Sequence, residues 1–108
     1  MSIRRITAIV PVNILETLEK HLRGCGVPGV TVERVQGYGR HPNYFRRDLM
    51  KDNAKLVLYT DKAKVDTVIA AIICCEHECG ATAGILAVDR VERLVSLADG
   101  ADVMAESL

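Results

Sequence analysis

Apolar and polar positions along the chain switch between two periods. Ile6, Ala8 and Val10 alternate with Thr7 and Ile9, a period of two that predicts a strand over Ile3–Val10 with both faces largely apolar. From Ile14 the spacing lengthens. Ile14, Leu15, Leu18 and Leu22 recur at helical intervals, with Glu16, Glu19, Lys20 and Arg23 on the opposite side. Asn13, with Glu16 three residues on, predicts a capping box, and Gly24 is expected to end the helix in a Gly- and Pro-containing turn over 24–29. Alternation returns in Val30–Gln36 and again in Lys55–Thr60, where Leu56 and Leu58 face away from Val57 and Tyr59. Between these two strands lies a polar, basic segment with no period. Asp61 is placed to cap a second helix whose stripe is Val65, Val68, Ile69, Ile72 and Ile73 and which ends near Cys79–Gly80. Gly84–Leu97 reads as a long strand with a bulge, opened by the β-rich Ile85–Val88.

Two successive β-α-β halves predict an α+β fold: a ferredoxin-like β-α-β-β-α-β sandwich with four antiparallel strands and two helices on one face. The other face, carrying Ile9, Val35, Val57 and Leu86, would be apolar and bare, which predicts association with further subunits. The domain occupies residues 1–100, with a projecting loop at 37–54 and a tail at 101–108.

Composition narrows the function. At 108 residues the chain makes one domain with one core. Fourteen basic and fourteen acidic side chains balance, and there is no Trp, so neither a basic footprint nor a stacking platform for nucleic acid is expected. No apolar run approaches a membrane span and no secretory leader is evident, so the expected location is cytoplasmic, without membrane insertion. In that compartment Cys25, Cys74, Cys75 and Cys79 are expected as thiols. No nucleophile is spaced with a base, and the chain does not read as an enzyme.

The chemistry concentrates where the second strand ends. Val35-Gln36-Gly37-Tyr38-Gly39-Arg40 closes a strand on Gly-x-Gly-Arg. The glycines allow close backbone approach and the arginine supplies a planar cation, together a mouth suited to an anion. In this setting the chain resembles the P-II signalling superfamily. The resemblance is carried by Ile6-Thr7-Ala8-Ile9-Val10 with Leu15, Leu18 and Leu22, by Thr31-Val32-x-x-Val35-x-Gly37-Tyr38-Gly39-Arg40, and by Gly84-Ile85-Leu86-Ala87-Val88 through Ala98-Asp99-Gly100. It implies a homotrimer with adenine nucleotide (AMP, ADP, ATP or cyclic AMP) bound in clefts between subunits. One wall would be the base of the family's T-loop, Gly37, Tyr38, Gly39 and Arg40, with Ile9 and Thr31 nearby. The other would be the B-loop, 80–84, including Thr82, Ala83 and Gly84. Tyr44, Phe45, Arg46 and Arg47 in the T-loop would dock a partner, a membrane transporter or a metabolic enzyme.

The B-loop departs from the classical pattern. Ile85 stands where classical members carry a phosphate-binding lysine, and Ser96 and Ala98 stand where they carry arginines. Each lost charged hydrogen bond is worth about 1.5–3 kcal/mol. Thr82-Ala83-Gly84-Ile85-Leu86 is closer to the divergent P-II-like branch associated with bicarbonate transporters and carboxysomes, which makes bicarbonate a candidate co-effector.

One further cluster stands out. Cys74-Cys75-Glu76-His77-Glu78-Cys79 offers thiolates and an imidazole, suited to zinc, copper(I) or nickel. It yields an alternative function, a heavy-metal-binding or metal-sensing module with Cys74, Cys75, His77 and Cys79 as ligands. The competing reading makes the cysteines small apolar core residues.

Overall fold

A computed structural model describes residues 2–37, 51–80 and 84–108. The elements run β1 (Ile3–Pro11), α1 (Leu15–Gly24), β2 (Thr31–Gly37), β3 (Lys51–Asp61), α2 (Val65–Glu78) and β4 (Ile85–Arg90). The sheet order is β2-β3-β1-β4 and every ladder is antiparallel, with both helices packed on one face. This is the ferredoxin-like sandwich expected from the double β-α-β pattern.

Register assigns each side chain to a face. Ile6 pairs with Leu58 and Val88, and Ala8 with Leu56 and Leu86, so these positions share the helix-covered side. There they meet Ile14, Leu18 and Leu22 from the first helical segment and Val68, Ile72 and Cys75 from α2 in a single core. The apolar stripe of α2 is thus centred on Val68, Ile72 and Cys75, while Ile73 is left exposed. The open face carries Arg5, Thr7 and Ile9 opposite Tyr59, Val57 and Lys55. Leu86 is not on that face. It packs against the core, and its neighbour Ile85, 52% exposed, takes the open-face position. The Arg5–Asp89 ion pair, 3.1 Å, also lies on the open side, which is mixed rather than purely apolar.

Helix ends differ from the expected signals at one terminus and agree at the other. Asn13 makes no capping bond: Pro11 is extended at φ −61°, and Val12–Ile14 form a 3-10 turn that leads directly into α1. Asp61 does cap, accepting from the Ala63 N–H at 3.3 Å ahead of a 3-10 turn and α2. Gly24 is the last residue of α1, and the left-handed residue is Gly26, at φ +79°. The Val27 N–H donates to Leu22 O and the Gly26 N–H to Arg23 O, the paired bonds of a Schellman turn, with Val27 and Leu22 both in the core. At the end of α2, Gly80 (φ +73°) likewise donates to His77 O.

Strand lengths were also redistributed. β3 begins at Lys51, because Gly37, Gln36 and Val35 pair with Lys51, Asp52 and Asn53; those positions belong to the hairpin arms and not to the loop. β4 stops at Arg90 instead of continuing to Leu97. As an edge strand it pairs only with β1, and β1 has no residues in the ladder before Ile3. Beyond it the chain folds back through a bridge between Val95 and Asp102, with Leu97 fully exposed between them. The tail ends in a 3-10 turn at Ala105–Ser107, where Ala105 is buried. No described helix is long and apolar enough to cross a membrane.

Candidate functional site

Two connections leave the same end of the sheet. The β2–β3 hairpin ends at the Gly37–Lys51 pair. On the adjoining strands, Pro11 pairs with Asn53 and Ile9 with Ile85, so β4 starts alongside the end of β1 and the base of the hairpin. Segments 38–50 and 81–83 therefore depart from one edge. Tyr38, Gly39, Arg40, Tyr44, Phe45, Arg46, Arg47, Thr82 and Ala83 lie outside the described residues. Of the expected binding residues, Ile9, Gly37 and Gly84 are brought to this end. Thr31 is not: it begins β2, six residues from Gly37, about 20 Å along an extended strand.

The structure adds Glu76 to this end. A cleft of about 360 Å³ opens between α2 and the start of β4, lined by Val10, Ile69, Ile72, Glu76, Gly84 and Ile85 among others. Glu76 reaches across it to Gly84, where a side-chain Cβ would overlap Oε1 of Glu76 and stand 2.7 Å from its Cδ. Among the described residues Glu76 Oε1 is buried without a hydrogen-bond partner. Burial raises the Glu76 carboxyl above the usual carboxylate range, partly offset by His77. In the sequence, Glu76 continues the helical series Ile69, Ile72, Ile73, a charge set on an apolar stripe.

The four residues of the Cys/His cluster do not converge. Cys75 is fully buried in the core, its Sγ 4.0 Å from Ile14 O. Burial first, then the adjacent Cys79, pushes its thiol up to about 11. Cys75 is thereby a packing residue. His77 and Cys79 are both exposed; Cys79 follows Cys75 by one turn and lies beside its thiol. Cys74 is exposed too, and it faces α1: His21 Nε2 donates to Glu78 Oε2 at 3.0 Å, and the donor atoms of His21, Cys74 and Glu78 all lie within 4.8 Å of one another. All four cysteines are free thiols.

The sheet order and the two helices on one face define a ferredoxin-like domain. The chain matches the family described as nitrogen regulatory protein P-II over residues 3–96, and it belongs to that family. No individual curated protein matches it. Family membership makes this a P-II-like regulatory protein; such proteins are typically trimers that act on target proteins rather than on substrates.

Proposed function

We propose that the protein is a cytoplasmic homotrimeric switch that binds an adenine nucleotide between subunits and reports occupancy through its T-loop. The observation that carries this reading is the shared exit of segments 38–50 and 81–83 from one end of the sheet. Gly37 opens the first segment, and Gly84 closes the second beside the cleft. A ligand held by both would tie the T-loop to the rigid sheet. The coupling is a shift in population biased by the ligand's differential affinity for two states. Thr31, at the far end of β2, can join such a site only if a neighbouring protomer supplies it. The ordered loop, with Tyr44, Phe45, Arg46 and Arg47, then engages or releases a transporter or an enzyme.

The absence of lysine at Ile85 favours a ligand of low phosphate number, with AMP or cyclic AMP ahead of ATP and bicarbonate as the candidate partner anion. The test is calorimetric titration of the reduced protein with AMP, ADP, ATP and cyclic AMP, each with and without bicarbonate. Micromolar binding that Arg40→Ala abolishes, with amide-exchange protection of 39–50 on ligand addition, is the expected result. Binding by none of the four, or binding that leaves 39–50 unprotected, refutes the switch.

A further inference from the structure

We infer that His21, Cys74 and Glu78 form a divalent metal site of the zinc class that bridges α1 and α2. It does not depend on the nucleotide reading. Cys74 and Glu78 stand four residues apart on α2, so their side chains project from one face, one turn apart. His21 reaches them from the last turn of α1. The three donors are a thiol, an imidazole nitrogen and a carboxylate oxygen, drawn from two elements that the core already holds together.

Their spacing suits a tetrahedral ion. Bonds of about 2.0–2.3 Å at tetrahedral angles require donors roughly 3.3–3.8 Å apart. His21 Nε2 and Glu78 Oε2 are 3.0 Å apart, and the Cys74 thiol sulfur lies within 4.8 Å of both. An opening of a few tenths of an ångström on one side and rotation of the exposed Cys74 and Glu78 side chains on the other would bring all three into range. His21 is partly shielded, its side chain 27% exposed, and can serve as the fixed donor.

Donor chemistry selects the metal. A thiolate with an imidazole and one carboxylate disfavours magnesium and calcium, which take oxygen ligands, and favours zinc or cobalt(II). Three protein ligands leave the fourth position for water or an exogenous donor, the pattern of an exchangeable rather than a closed structural site. Binding releases one proton, from the Cys74 thiol, while neutral His21 changes tautomer: its proton passes from Nε2 to Nδ1, so that the Nε2 lone pair faces the metal in place of the hydrogen bond to Glu78. Without metal, that His21–Glu78 bond is an ordinary link between helices; with metal, the same two side chains become ligands. Cys75, next in sequence, takes no part because its sulfur points into the core.

The probe is cobalt(II), titrated into the chelator-stripped, reduced full-length protein. The expected result is one ion per protomer, with the thiolate charge-transfer absorption and the intense visible bands of tetrahedral cobalt, both bleached by stoichiometric zinc. Cys74→Ser removes the charge-transfer absorption. His21→Gln and Glu78→Gln each weaken zinc binding by about tenfold or more, since loss of even an outer partner of a ligand costs that much. Cys79→Ser and His77→Gln leave the spectrum unchanged. All the variants alter exposed or partly exposed side chains, and circular dichroism verifies that each is folded. Absence of a charge-transfer band in the parent protein overturns the proposal. So does a band that survives Cys74→Ser, or one that Cys79→Ser abolishes, because either places the metal elsewhere.

Discussion

The turn after α1 makes a quantitative prediction from two glycines two residues apart. Gly24 closes the helix at negative φ, and a Cβ there would meet nothing within 4 Å. Gly26 is at φ +79°, and a Cβ there would find only Lys64 Nζ at 3.9 Å, ordinary contact. Neither substitution to alanine creates a clash, so backbone conformation alone decides the sign. At Gly24, alanine gains helix propensity and loses unfolded-state entropy, a stabilisation of about 0.5–1 kcal/mol. At Gly26, alanine pays about 1–2 kcal/mol for the left-handed region, offset by roughly 0.5 kcal/mol from the stiffer unfolded chain. For a chain of this length, with an unfolding entropy of about 2.1 cal/mol/K per residue, 1 kcal/mol corresponds to about 4 °C in Tm. Gly24→Ala is therefore expected to raise Tm by about 2–4 °C, and Gly26→Ala to lower it by about 2–6 °C. Calorimetry at one fixed protomer concentration makes the comparison, since assembly shifts apparent stability. Gly26→Asn should fall between, because asparagine tolerates the left-handed region better than alanine. A Gly26→Ala protein as stable as Gly24→Ala would refute the Schellman assignment. With it would go the account of how Val27 is set into the core and β2 is started in register toward Gly37.

Two other residues give further tests. Cys75 should resist iodoacetamide in the folded protein while Cys74 and Cys79 are alkylated, as peptide mass spectrometry would show; equal labelling of all three would contradict its burial. Its raised pKa also fixes a sign: the fold favours the neutral thiol. That contribution is full below the ordinary thiol value and is lost as pH rises through about 11, so denaturant midpoints of the parent should fall in that alkaline range more than those of Cys75→Ala. Glu76→Gln should stabilise the protein at pH 7, by about 1 kcal/mol, the low end for a buried unpartnered acceptor on a half-buried side chain. Because the Glu76 carboxyl is raised, the gain should shrink as pH is lowered toward its protonation; a gain that grows in acid would contradict this.

Local pattern was enough to determine the elements and their order. Alternation in Ile6–Val10 and Leu56–Tyr59, and the helical series Leu15–Leu18–Leu22 and Val68–Ile72, specify which side of each element is buried; two such β-α-β units then admit the observed sandwich. These signals are legible because they depend on residues within a few positions of each other. Where elements stop was not local. β4 ends at Arg90 because its one partner strand runs out, and β3 starts at Lys51 because Val35–Gly37 provides a ladder for it. Asn13 lost its expected capping role to the turn imposed at Pro11–Ile14. The candidate sites divide in the same way. Gly37 and Gly84 could be singled out as backbone features of short motifs, but their meeting at one sheet end is a matter of register. Cys74, Cys75, His77 and Cys79 looked like one cluster because they are neighbours in sequence, yet a helix sends neighbours in different directions. Helix packing instead buried Cys75 in the core and set Cys74 and Glu78 beside His21, fifty-seven residues from Glu78 along the chain. That contact exists only because both helices cover the same apolar sheet face, which is the part of this protein that tertiary structure alone decided.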